Sequence, residues 1–469
     1  MTDTPRLPPG FIASLCSLLG ERAVLRDSNT MAPYCIDQRQ RYSGPALAVL
    51  LPASVEQVQG IVALTRAAGV AIVPQGGNTG LVGGATPLAG GPACVVLSTA
   101  RMKAVRAWQD DTITVEAGLI LDELNQLVAG RGQFLPIDLA SSGSAQIGGL
   151  IATNAGGMRV IRYGMMRRQV LGLEAVLPSG ELWSDLRPLL KNNSGYDLKQ
   201  LLIGSEGTLG LVTAATLRLA PLPAHTATAF VALPSVAAGL RLLAALREHV
   251  AEWLSAFELI SEPCLRLVRA AEPRLQAPVA FDQPWYALVE ASGSVDETAL
   301  QAALLAAFEQ AGLAQAAIAQ SQAQTDTLWR WREQIPAAQK HAGGNIKHDI
   351  GVPSAALPEF VAAADAALRS RFPGVEIIAF GHAGDGNLHY NVARTRDKPA
   401  DTFLDEAEVN AIVYREVARV GGTPSAEHGV GQLKRGLLPA WAGETGMQWM
   451  RSIKATLDPD GLFNPGKLL

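Results

Sequence analysis

From Ala67 to Ala100 the chain carries no Asp, Glu, Lys or Arg, and inside that run Pro74 to Gly84 reads P-Q-G-G-N-T-G-L-V-G-G, with glycine at five of eleven places. Few folds accommodate such a stretch. A membrane helix is excluded, because Pro74, Asn78, Pro87, Pro92 and the repeated glycines break any spanning segment. What remains is buried backbone: glycine allows close approach and positive φ, so successive N–H groups can turn toward one anion, each such bond contributing roughly 1.5–3 kcal/mol. A pyrophosphate is the natural guest. The preceding residues anchor the loop at a strand end. Ser54 and Gln57 form an S-x-x-Q cap, Val55, Val58, Ile61 and Val62 make a helical stripe, Gly69 stops it, and Val70 to Val73 read as a strand.

At 469 residues, 48% hydrophobic and 17% charged, the chain is long enough for two or more domains with real cores. A net charge of −4, with no basic cluster, argues against a nucleic-acid partner. Cys16, Cys35, Cys94 and Cys264 are scattered without C-x-x-C spacing, so they are expected as buried free thiols rather than disulfides or cluster ligands. The opening residues M-T-D-T-P-R-L-P-P-G lack an apolar signal core, and a cytoplasmic location with no transmembrane segment is expected.

A short helix is expected near Phe11 to Leu19. From Tyr42 to about Leu222, apolar strands alternate with glycine turns: Leu47 to Leu51, Val95 to Ser98, Ile113 to Ala117, Val170 to Leu177 and Leu211 to Leu219. Beyond Pro223 the texture changes to strand-then-helix units. Phe230 to Leu233 precede a helix capped by Ser235, Tyr286 to Ala291 precede one over Glu297 to Ala311, and the Gln-rich Gln315 to Gln324 reads as a connector. The fold class is α+β throughout.

Two more glycine loops lie in the first half. Ser141 to Gly157, S-S-G-S-A-Q-I-G-G-L-I-A-T-N-A-G-G, is uncharged and suits a flat uncharged ligand; Tyr196 to Gly210 adds Glu206 at a turn where a ribose or adenine edge could be held. Three such loops in one domain point to a dinucleotide. There is no G-x-G-x-x-G, so a tightly held NAD loses support, and G-x-x-x-x-G-K at Gly461 to Lys467 is followed by Leu468 where a P-loop needs Ser or Thr.

The second half contains F-G-H-A-G-D-G-N-L-H-Y-N, Phe380 to Asn391. Asp385-Gly386 is a turn dipeptide between apolar runs, so a hairpin should bring His382 and His389 together, with His389 and Asn391 on one face. S-A-E-H-G-V-G follows at Ser425 to Gly431. Two histidines in a lone hairpin could be core or turn residues; with Glu427 added, His382, His389 and Glu427 have the composition expected of a catalytic metal site with an open position, for zinc or alternatively manganese or iron. His428, beside Glu427 and with an ordinary pKa of about 6.5, is the expected general base.

These motifs together resemble the vanillyl-alcohol-oxidase-type FAD proteins and, within them, the D-2-hydroxyglutarate and D-lactate dehydrogenases, over nearly the whole chain. The resemblance implies a FAD-binding domain at 1–222, a cap or substrate domain at 223–425 and a C-terminal segment at 426–469 returning to the FAD domain. It implies FAD contacts at Pro74, Gly76, Gly77, Asn78, Thr79, Gly80, Ser142, Gly148, Gly149, Asn154, Gly157, Glu206 and Asn464. Some relatives tether the flavin through His or Cys. Here every histidine lies at or after His225 and no cysteine falls in the loops, so the FAD is expected to be noncovalent. L-W-R-W-R-E-Q-I-P and N-I-K-H-D-I-G-V-P resemble substrate segments, which makes Arg332 and Lys347 carboxylate anchors, with Asn391 and His428 as further substrate contacts. One departure is Pro336, which stands where hydroxyglutarate-using members carry a threonine.

The expected activity is oxidation of a D-2-hydroxy acid, D-2-hydroxyglutarate first, to the 2-oxo acid. Electrons would pass to a separate acceptor, an electron-transfer flavoprotein or a quinone-linked carrier, and the resemblance implies a homodimer. D-lactate or D-malate oxidation, or a glycolate-oxidase-type flavin subunit of an electron-transfer complex, are the alternatives.

Overall fold

The computed structural model describes residues 8–394 and 405–469; the first seven residues, on which part of the leader reading rested, lie outside them. The chain divides into two compact units. One comprises Met1–Gly156, Met165–Leu222 and His428–Leu469, the other Gly157–Gly164 and Pro223–Glu427. The excursion of Gly157–Gly164 into the second unit was not anticipated.

In the first unit, strands β1 (Val24–Leu25), β2 (Val49–Leu50), β3 (Ala71–Gln75) and β4 (Cys94–Ser98) form a sheet in the order β1-β2-β4-β3, with β2 and β3 both parallel to β4. Helix α1 (Val55–Ala68) feeds β3. Ser54 caps it by accepting from the Gln57 N–H, Gln57 Oε1 accepts from the Ala53 N–H, and Gly69 closes it at φ +63°. Its Val55, Val58, Ile61 and Val62 are all buried, each such side chain stabilising by roughly 1.5–3 kcal/mol. The first glycine loop therefore leaves a strand whose position is fixed on both sides.

A second, antiparallel sheet is built from β5 (Val105–Gln109), β6 (Thr112–Glu116), β7 (Val170–Val176), β8 (Leu182–Asp185) and β9 (Leu211–Arg218) in the order β5-β6-β9-β7-β8. Helix α2 (Ile147–Thr153) carries the second glycine loop. The C-terminal segment returns to β3: Ile72 donates to Leu462 O at 2.8 Å and Asn464 donates back to Ile72 O at 2.7 Å.

The second unit is organised on one antiparallel sheet. Its strands are β10 (His225–Leu233), β11 (Leu254–Ser261), β12 (Trp285–Gly293), β13 (Ala316–Ile318), β14 (Asn345–Ile346), β15 (Asp349–Gly351), β16 (Val375–Gly381) and β17 (Asn387–Arg394). The order is β13-β10-β12-β11-β16-β17-β14, with β15 also paired to β17. Helices α3 (Gln322–Glu333) and α4 (Ile335–Ala342) share a core with the sheet, where Leu328, Trp331, Ile335 and Ala338 meet Ile260, Ile378 and Phe380.

Gln315 to Gln324 is not a connector. Its first half is edge strand β13, and its second half starts α3, where Ser321 accepts from the Gln324 N–H and Gln324 Oε1 accepts from the Gln320 N–H. The thiols are free, with Cys16, Cys94 and Cys264 buried and Cys35 partly so.

Candidate functional site

Each unit carries one cluster of candidate site residues. In the first, Pro74, Gly76, Gly77, Asn78, Thr79 and Gly80, together with Gly148, Gly149, Glu206 and His428, line a cleft that opens to solvent. A Cβ on Gly77 would lie 2.0 Å from the Ser144 carbonyl oxygen, and one on Gly76 would lie 3.5 Å from the Gly149 nitrogen. The two loops thus meet main chain to main chain at the cleft wall, and at Gly77 the approach is one that only glycine permits.

Asn464, Asn154 and Ser142, also expected at the flavin, and the side chains of Asn78 and Glu206 brace the loops that form this wall. Asn464 Nδ2 donates to Gly84 O at 2.9 Å and to Glu206 O at 2.8 Å, tying the first and third loops together. Asn78 turns its Nδ2 to Pro33 O and Ile36 O. Asn154 ends α2 in the left-handed region and accepts from the Arg167 N–H, and Ser142 forms a backbone turn with Leu139. Both oxygens of Glu206 accept from the N–H groups of Val430 and Gly431 at 2.7 Å, fixing the turn that follows His428. Burial pushes the Glu206 carboxyl up, against those two donors. Apart from Glu206 and His428 the lining carries no acidic or basic residue, so the wall suits a flat uncharged ring, and the residues present fit a FAD.

In the second unit the hairpin forms as expected, with Phe380 opposite His389 and Ile378 opposite Asn391. The ligand atoms of His382, His389 and Glu427 lie within 4.8 Å of one another, with His382 Nε2 3.7 Å from Glu427 Oε1. This donor set, two imidazoles and a carboxylate, fits a divalent cation with an open position. Gly157, expected among the flavin contacts, donates its N–H to Glu427 Oε1 at 2.9 Å.

Behind these ligands stand two carboxylates that the sequence reading did not assign. Glu258, on β11 and fully buried, accepts from His382 Nδ1 through Oε1 and from Arg332 Nε through Oε2 at 2.5 Å. Asp349, on β15, accepts from Asn387 Nδ2 at 2.8 Å and from the Glu427 N–H at 3.1 Å, and lies 3.9 Å from His389 Nδ1. The electrostatics follow from this packing. Burial alone would lower the His382 pKa, but Glu258 and then Glu427 raise it to about 9. Burial would raise the Glu258 pKa, yet His382 and Arg332 hold it at about 2. Burial pushes Glu427 up to about 7, Asp349 and Asp385 adding to that while His382 opposes it.

Arg332 is buried, its guanidinium 4.7 Å from the Phe380 ring centroid. Nε is committed to Glu258, while neither terminal nitrogen has a hydrogen-bond partner among the described residues. That leaves a fork suited to a carboxylate. Lys347 directly follows β14. Asn391 is buried and holds its amide between the His348 N–H and Gln339.

Glu258 has the arrangement by which an outer carboxylate fixes the tautomer and aim of a metal-ligating histidine, a partnership whose loss typically costs about 10–100-fold in affinity. Glu258→Gln should therefore weaken divalent-metal binding by about that factor, measured by chelator competition, with FAD content unchanged. Equal metal affinity in the variant would confine Glu258 to a packing role.

The family model described as "FAD binding domain" matches residues 46–185, and that of "FAD linked oxidases, C-terminal domain" matches 222–468. The chain is 38% identical to a D-2-hydroxyglutarate dehydrogenase of Stutzerimonas stutzeri, over 100% of this chain and 99% of that protein. It is 41% identical to one of Xanthomonas citri pv. viticola, over 93% and 92% respectively. Among solved structures, p-cresol methylhydroxylase superposes with a TM-score of 0.74 at 16% identity, covering 98% of this chain and 97% of that one, a likeness of fold. With both family models matched in sequence order and relatives aligned along its whole length, the chain belongs to the FAD-linked oxidase family that includes the D-2-hydroxyglutarate dehydrogenases.

Proposed function

We propose that this chain is a FAD- and metal-dependent dehydrogenase that oxidises a D-2-hydroxy acid to the 2-oxo acid, with D-2-hydroxyglutarate the preferred substrate and D-lactate or D-malate next. The observation that carries the reading is the His382, His389 and Glu427 cluster, backed by Glu258 and neighboured by the Arg332 fork, in a chain whose other unit holds the flavin cleft. The activities of the relatives at 38% and 41% identity support the substrate class.

When bound, FAD supplies a two-electron acceptor, and a divalent cation, zinc in this proposal, favours the alkoxide form of a bound hydroxyl. The chain's own residues do the rest. His382, His389 and Glu427 hold the cation; the terminal nitrogens of Arg332, with Lys347, hold the substrate carboxylate. A ring nitrogen of His428 receives the hydroxyl proton. Glu427 and His428 are consecutive, so ligand and proton acceptor are one peptide bond apart where the chain passes from one unit to the other. Electrons leave to a separate acceptor, an electron-transfer flavoprotein or a quinone-linked carrier, and the working assembly is a homodimer.

The test is anaerobic bleaching of the flavin absorbance by D- and L-2-hydroxy acids, before and after chelation. Rapid bleaching by D-2-hydroxyglutarate, lost on chelation and restored by metal, is the expected result. A flavin that no 2-hydroxy acid reduces would sink the proposal and favour a docking subunit of an electron-transfer complex.

A further inference from the structure

Gln339, on α4 and 1% exposed, has a polar atom with no protein partner. The orientation of its amide is set by a chain of contacts. The His348 backbone N–H can only donate, and it meets Asn391 Oδ1 at 3.3 Å, so Asn391 Nδ2 points away from it. That Nδ2 donates to Gln339 Oε1 at 2.9 Å, and Asn345 Nδ2 donates to the same oxygen at 3.1 Å. The donor from Asn391, fixed by His348, requires that atom to be the oxygen. Gln339 Nε2 is therefore a two-proton donor, and it finds no acceptor among the described residues. Native proteins rarely leave such a group unserved, and those left open call for an explanation.

Its place in the sheet says what the acceptor is. Phe380, Ile378, His389 and Asn391 share one face of the β16–β17 hairpin. Arg332 lies over Phe380, in the rung of the metal ligand His389, and Gln339 lies against Asn391, one rung farther along. Two residues along a strand separate these rungs by roughly 7 Å. An extended five-carbon diacid has its terminal oxygens about as far apart, so an acid held by its hydroxyl end at the His389 rung extends its other carboxylate toward Asn391 and Gln339. Pro336, one turn earlier on α4, offers neither hydroxyl nor N–H.

We propose that Gln339 is a specificity-determining residue whose Nε2 donates to the distal carboxylate of a 2-hydroxy diacid. The proposal rests on the dehydrogenase reading above and deepens it. D-lactate, with a methyl group at that end, has nothing for Gln339 to read.

The experiment is anaerobic flavin reduction in the FAD- and metal-loaded protein, comparing D-2-hydroxyglutarate with D-lactate in wild type, Gln339→Met and Gln339→Glu. Gln339→Met removes the donor at similar volume; Gln339→Glu keeps an acceptor for Asn391 and Asn345 while replacing the amide. Because the readout is a ratio of two substrates within each variant, a general folding defect cancels. The preference for the diacid should fall about 10–100-fold in both variants, as expected for one lost hydrogen bond to a charged group. Equal losses for the two acids in either variant, or an unchanged ratio, would overturn the assignment and leave an internal packing role for the amide. A wild type bleached by D-lactate and not by the diacid would also overturn it while leaving the dehydrogenase reading intact, whereas a wild type bleached by neither would fail that reading first.

Discussion

His428→Asn should slow flavin reduction by D-2-hydroxyglutarate by about 10²–10⁴-fold, the usual contribution of a positioned acid–base group, while FAD content and metal content stay at wild-type levels. The separation of effects follows from what surrounds the residue. His428 lines the cleft, and the turn after it is fixed through main chain, by the two Glu206 oxygens on the N–H groups of Val430 and Gly431. Asparagine leaves those bonds in place. The proposed metal ligands, His382, His389 and Glu427, are other residues, and the cleft wall is built on the glycine loops. An imidazole that receives the hydroxyl proton cannot be replaced by an amide of similar reach, so the loss should fall on the rate of bleaching rather than on the substrate concentration that half-saturates it. Stopped-flow reduction at saturating substrate is the measurement. A variant that bleaches at the wild-type rate would move the proton to another group.

What could be read from the sequence, and what could not, divides along physical lines. The glycine loops and the hairpin were legible because their chemistry resides in residue type: five glycines in eleven places, or two histidines around Asp385-Gly386, constrain backbone and ligands by themselves. Glu258 was not legible. It is a single acid in L-S-A-F-E-L-I-S, and nothing local distinguishes a solvent-facing position from one fully buried between Arg332 and His382. Its partners lie 74 and 124 residues away, so only the assembled sheet pairs them. Gln339 was hidden for the same reason, since its free donor is deduced from Asn391 and His348 rather than from I-P-A-A-Q-K-H-A. Glu206 shows the converse. A carboxylate in a glycine turn invites a ligand, yet both oxygens serve main chain more than 220 residues on.

The S-x-x-Q signal was available twice and used once. Ser54 with Gln57 and Ser321 with Gln324 make the same pair of bonds, but composition, a run rich in glutamine, obscured the second. Helix α3, which carries Arg332, begins at that overlooked cap.

Gly77→Ala should yield a protein that folds and purifies largely without FAD. The methyl group would sit 2.0 Å from the Ser144 carbonyl oxygen and 2.9 Å from its carbon, so the first and second glycine loops must part by an ångström or more. Main chain cannot rotate away as a side chain would. Overpacking of this kind costs about 1–3 kcal/mol, and because the displaced segments are the cleft wall itself, flavin affinity should fall by about 10–100-fold or more. Gly80→Ala is the matched control: it lies in the same loop and lines the same cleft, but its Cβ meets nothing within 4 Å and its φ is not left-handed, so the unloaded protein should melt at the wild-type temperature. Measured by flavin fluorescence on titration with FAD, a Gly77→Ala protein that binds as tightly as wild type would mean that the two loops do not form the flavin site. Weak binding by a Gly77→Ala protein that still unfolds cooperatively, beside a Gly80→Ala protein that binds FAD as wild type does, would place the loss at the wall that the contact with Ser144 shapes.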